Sequence, residues 1–151
     1  MASFLARAIE ASGGSLPRDP RHRFPDVAGD SVHAAAINRL AEAGIVAGRI
    51  DGTFAPSASV SRGQVTQMLV RSFEHRAEQT LPAPTTRWFT DVAGTTFERP
   101  IYQSADAGWT AGYGDGTYRP GMAVRRDQMA VLLTRWLTHL VADGHATPPR
   151  R

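Results

Sequence analysis

Two arginines stand where an anion could be read. Arg62 and Arg126 lie 64 residues apart, each in an Arg-x-Gln triplet, Arg62-Gly63-Gln64 and Arg126-Asp127-Gln128. Each opens a segment with helical periodicity. An arginine there sets a fork of N–H donors beside the unpaired backbone amides and positive dipole end of the helix, a combination suited to a carboxylate. The competing role is structural, with the guanidinium paired to a nearby Asp26 or Asp91. Two loops repeat as well: Gly48-x-x-Asp51-Gly52-Thr53-Phe54-x-Pro56 and Gly112-x-x-Asp115-Gly116-Thr117-Tyr118-x-Pro120. Their Asp-Gly pair signals a turn. They lack the spaced oxygens of a calcium loop, so no metal is expected.

Other reactive residues form no constellation. The five histidines do not recur between repeats and read as solvated; no Gly-x-Ser-x-Gly elbow occurs. Glu42 and Asp106 share a repeat position at the exposed end of a helix, too isolated for acid–base work. The expectation is no enzyme and no cofactor. Of the tryptophans, Trp136 falls on an apolar stripe, whereas Trp88 and Trp109 are open to a role against sugar rings.

Composition narrows the classes. The 151 residues are 42% hydrophobic and 21% charged, an ordinary globular mixture. Cysteine is absent, which removes disulfide and thiol chemistry. A pI near 10.2 suggests nucleic acid, but the net charge is only +3 and every basic residue is Arg. With no Lys, a small excess moves the pI far. The basic clusters, Arg18-Arg21-Arg23 and Arg150-Arg151, sit in Pro-containing segments, so no nucleic-acid partner is expected. No membrane span and no signal peptide are visible in this chain.

The elements that position these residues repeat with a shift of 64. Ile37, Ala41 and Ala43-Gly44 fall on Ile101, Ala105 and Ala107-Gly108. Upstream, Phe24, Asp26-Val27 and Ala28-Gly29 match Phe89, Asp91-Val92 and Ala93-Gly94 with a shift of 65. Each repeat reads as helix, loop, helix. The first helices are expected at about 31–43, capped by Asp30 or Ser31, and about 96–107, capped by Thr96. Gly44 and Gly108 would end them in the left-handed conformation. The second helices are expected at 62–76 and 126–142, the former opened by a Ser61–Gln64 capping box. Residues 1–12 align with those second helices, so the chain opens partway through a repeat. Stripes through Leu5, Leu69 and Leu133 predict three helices packed as a bundle with pseudo-threefold symmetry and those leucines buried. The fold class is therefore all-α. The organisation is a closing helix at 1–12, repeats at 24–74 and 89–138, linkers at 13–23 and 76–87, and a flexible tail at 143–151.

The ordered set Phe-x-Asp-Val, Ala-Gly-(Ile/Trp)-x-Ala-Gly, Asp-Gly-Thr-(Phe/Tyr)-x-Pro and Val-x-Arg-x-Gln resembles the S-layer homology family. The resemblance implies a non-catalytic module that binds secondary cell-wall polysaccharide, often pyruvylated, at the bacterial surface. It maps glycan-binding roles onto Arg62, Arg126, Asp26, Asp91 and the loop glycines Gly48, Gly52, Gly112 and Gly116; Trp109 joins them as a candidate sugar-stacking ring. The chain departs from the family in ending its Arg motif with Gln64 and Gln128 instead of an acid. Two further readings stay open: an assembly module that associates with other structural proteins of a surface layer or phage-like particle, and the wall-binding end of a larger hydrolase.

Overall fold

The computed structural model describes residues 1–146; the last five residues, with Arg150-Arg151 and most of the expected tail, lie outside the described residues. Five α-helices are present among them: α1 (Ala2–Ala11), α2 (Ala34–Glu42), α3 (Arg62–Ala77), α4 (Glu98–Asp106) and α5 (Arg126–Ala142). Among the described residues extended pairing is limited to one bridge between Ser61 and Ala123, and the class is all-α.

The chain divides into two compact units, residues 1–58 and 59–151. In the first, α1 packs on α2; in the second, α3 packs on α4 and on α5. The packing unit is thus out of phase with the sequence period. A long helix that closes one repeat covers the short helix that opens the next. The short helices have only nine residues each, below the length at which a helix is stable alone. Burial supplies what propensity cannot. Ile37 and Leu40 of α2 and Leu5 and Ile9 of α1 are all buried in one unit, as are Ile101 and Tyr102 of α4 and Leu69 and Phe73 of α3 in the other.

Local signals explain most helix ends. Ser61 Oγ accepts from Gln64 N and Gln64 Oε1 accepts from Ser61 N, closing the capping box of α3. Gly44 and Gly108 take φ of +72° and +74° one residue beyond the caps of α2 and α4. The starts of the short helices differ from expectation. α2 is capped at His33 and α4 at Phe97, neither with a side-chain bond. Ser31 acts earlier: its Oγ accepts from His33 N and its carbonyl from Ala34 N, a turn that leads into the helix. Pro100 sits in the first turn of α4, where its missing N–H costs nothing.

Two further expectations need correction. Leu5 and Leu69 are buried, but Leu133 on α5 is only partly so. α1 and α3 are each covered by a following short helix; the second unit sets α3 alone against α5. The histidines are not all solvated. His139 packs on Phe73 and Trp109 and pairs with Asp143 at 3.2 Å, and His145 meets Phe73 edge-on. His145 and Ala146 donate their backbone N–H groups to the Leu140 carbonyl, so residues 143–146 close α5.

Candidate functional site

The repeated loops are built around Asp26 and Asp91. Asp26 takes both its oxygens to the loop backbone, accepting from Phe54 N at 2.8 Å and Ala55 N at 2.6 Å. Asp91 repeats the clamp on Tyr118 N and Arg119 N, both at 2.7 Å. The clamp holds Ala55 and Arg119 in the left-handed region, at φ 57° and 59°, where a side chain is strained. Donation by the Phe54 amide, joined by Ala55, lowers the Asp26 pKa against its slight desolvation. Asp51 and Asp115 fold each turn on itself by accepting from the backbone and hydroxyl of Thr53 and Thr117. The Thr117 hydroxyl and then the Arg119 guanidinium lower the Asp115 pKa to about 2.

The loop glycines are required by this geometry. Gly52 and Gly116 have φ of +81° and +78°. A Cβ on Gly48 would lie 2.6 Å from the Phe24 ring and 2.8 Å from the Thr53 carbonyl, and on Gly112 2.4 Å from Phe89 and 2.6 Å from the Thr117 carbonyl. An aromatic at 24 or 89 therefore packs closely against the glycine at 48 or 112, which explains why these residue types recur together.

The two arginines are not equivalent in the structure. Arg62 is buried, with 7% of its surface exposed. Its Nε donates to the Tyr118 carbonyl at 2.9 Å and its Nη2 to the Ala111 carbonyl at 3.0 Å. The guanidinium stacks 4.5 Å from the Tyr118 ring centroid and 5.1 Å from that of Tyr113. Neither Asp26 nor Asp91 is its partner, since both are spent on backbone amides. The helix head is also occupied: Arg62 N donates to the Met122 carbonyl, Gly63 N to Pro120 and Gln64 N to Ser61 Oγ. The amides that sequence reasoning left free for an anion at α3 are taken. Arg126 is exposed at the first position of α5. Beside it, Arg125 turns its guanidinium onto Asp127, and this pairing lowers the Asp127 pKa to about 2.

Trp109 is enclosed, 1% exposed, between Phe73 and His139, and offers no ring face to a sugar. Trp88 is the exposed tryptophan, at 51%. Sequence reasoning missed why Glu42 and Asp106 recur. Each accepts the backbone N–H of the incoming linker, Arg21 to Glu42 and Thr85 to Asp106. The linkers are thereby fastened to the short helices. The signal was present, because positions 21 and 85 differ by the repeat length.

The structural repeat has a counterpart among known proteins. Residues 23–66 and 89–130, together more than half of the chain, match the model of the S-layer homology domain. Across 143 residues, or 95% of its length, the chain is 24% identical to a cellulosome-anchoring protein of Acetivibrio thermocellus. It spans 32% of that relative's length. Matched segments, clamped Asp-Gly-Thr loops and helix-loop-helix repeats agree, and the chain belongs to the S-layer homology domain family.

Proposed function

We propose that this chain is a non-catalytic module that anchors a protein or particle to the bacterial cell wall, with a secondary cell-wall polysaccharide as its ligand. The observation that carries the reading is the coincidence of two family segments with a relative, matched along nearly the whole chain, that is itself named for anchoring. The module works at the cell surface. Its design favours binding over chemistry: the repeated carboxylates of the loops and linkers are committed to backbone amides, and none is left as a shared acid–base pair.

Within this reading each loop presents, in its own unit, a fixed surface rather than reacting groups. Asp26 shapes the first and Asp91 the second, Gly48 and Gly52 in one and Gly112 and Gly116 in the other let the backbone approach closely, and in the second unit the exposed Arg126 supplies a cation for an acidic sugar such as a pyruvate ketal. Arg62 holds its loop from within.

The test is co-sedimentation of the purified chain with purified cell-wall polysaccharide, native and after mild acid has removed ketal-linked pyruvate. Retention on the native polymer and loss on the treated one supports a pyruvylated ligand. Equal retention on both keeps the anchor and removes pyruvate. No retention on either overturns glycan anchoring and leaves protein assembly as the function.

A further inference from the structure

The shift of 64 sets the three long helices in one register, so their faces compare position by position. Ala2, Leu5, Ala6 and Ile9 of α1 align with Thr66, Leu69, Val70 and Phe73 of α3. Both sets have the i, i+3, i+4, i+7 spacing of a single helix face. All of these residues are buried, and none is more than 7% exposed. A short helix packs on each long one, α2 on α1 and α4 on α3. The same positions on α5 are Ala130, Leu133, Thr134 and Leu137. There Ala130 and Thr134 are exposed, and Leu133 and Leu137 are only partly buried. Val131 beside them is 49% exposed. The residues α5 does bury, Met129, Leu132, Trp136 and Leu140, form a different stripe, and among the described residues the helix it packs on is α3. Two leucines are left part-open on a face that both other long helices keep covered.

We infer that this face of α5 is a docking site for a short amphipathic helix carried by another polypeptide, a helix of the α2 kind with a basic residue at its N-cap. Two observations fix the occupant. The first is supply. Both short helices among the described residues already pack on a long helix, with Ile37 2% and Ile101 0% exposed. A second copy of the chain brings the same open face and no spare short helix. The second is charge. The N-cap residue of a docked short helix lies against the first turn of the long one: a Cβ on Gly63 would lie 2.5 Å from the ring of Phe97, the N-cap of α4. α5 has Asp127, exposed, where α3 has Gly63. A carboxylate at that place disfavours a phenyl ring and attracts a cation. Its pairing with Arg125 is a surface contact, both side chains more than half exposed, and such contacts yield readily. α2 supplies the pattern, because His33 is its N-cap and stands at the position of Phe97, followed by buried Ile37, Leu40 and Ala41.

The inference goes beyond wall anchoring and holds whether or not the chain binds a polymer. Its test follows the backbone amides of the isotope-labelled 151-residue chain by NMR during titration with a synthetic peptide of residues 31–47, which spans α2. The titration runs to millimolar peptide, because a helix this short is only marginally formed alone. The peptide is expected to move the amides of Ala130, Leu133, Thr134 and Leu137. The variant L133S/L137S, with its amide spectrum otherwise unchanged, should bind at least about tenfold more weakly, as expected for losing buried leucine contacts. The peptide variant Ile37→Asp leaves the chain untouched and should lose binding as well. A His33→Lys peptide should bind several-fold more tightly than a His33→Glu peptide, and the difference should vanish against the D127N chain. Shifts confined to α1, equal binding by wild type and L133S/L137S, or no shift at all overturns the docking site. Dimers of the free chain that form with rising concentration and disappear in L133S/L137S overturn it too, since a second copy would then be the occupant.

Discussion

Arg62 at the head of α3 donates its Nε to the carbonyl of Tyr118 while its guanidinium stacks 4.5 Å from the centroid of the same residue's ring. One side chain thus fixes both the backbone and the side chain of a residue in the following loop. Thr66, one turn along α3, bonds the Tyr118 hydroxyl from the far end. The loop is bolted to the helix at three points on a single residue. Arg62→Ala leaves the buried Tyr118 carbonyl and the part-buried Ala111 carbonyl without this donor and is expected to cost about 1.5–3 kcal/mol. Thermal unfolding checks this. The matched change Arg126→Ala should leave the melting temperature unchanged, because Arg126 is exposed, and should weaken retention on wall polysaccharide instead.

Gly112→Ala should destabilise the second unit by about 1–3 kcal/mol, the range for overpacking a filled site. Its new Cβ would lie 2.6 Å from the Thr117 carbonyl, a backbone atom that can yield only by moving the turn. Gly114→Ala, two residues on, meets nothing within 4 Å and serves as the control. Equal denaturation midpoints for the two variants would contradict the loop geometry.

Leu69→Ala is expected to cost about 2–5 kcal/mol, because Leu69 is 2% exposed in a packed interface. Leu133→Ala removes the side chain at the same repeat position from a partly exposed site and should cost visibly less. Urea unfolding of the two variants gives the comparison. A larger loss for Leu133 would show that α5 is covered in solution by something its own unit does not supply.

Acid should loosen the loops before it unfolds the helices. Asp115 has its pKa lowered from 3.8 to about 2 by Thr117 and Arg119, and Asp26 and Asp106 are lowered by the amides they accept. A carboxyl group whose folded pKa lies below its unfolded one stabilises the fold fully above the unfolded value and loses that contribution as pH falls through the folded one. For Asp115 that window runs from 3.8 down to about 2. Asp115→Asn should therefore lower stability at neutral pH and flatten the acid limb of the stability curve below pH 3.8. An acid limb identical to that of wild type would refute the role given to Asp115.

Much of this protein is legible in its sequence because the determinants are local. The stripe through Val65, Leu69 and Phe73, the Ser61–Gln64 capping box and the glycines at 44 and 108 act over one or two helical turns, and each marks the course or an end of its element. The period of 64 adds the repeat, and with it the family. Tertiary structure decided which copies remain equivalent. Arg62 and Arg126 look alike in sequence, yet one is buried against carbonyls 49 and 56 residues away and the other is exposed. No local pattern encodes that, because it depends on which loop each helix head meets. The same holds for Trp109, enclosed by Phe73 and His139, and for the Pro-rich linker expected at 76–87, which Gln103 and Asp106 fasten at Leu81, Pro82 and Thr85. Composition sets what a segment can do alone; the hydrogen bonds that residues 15 to 60 positions away can reach decide what it does.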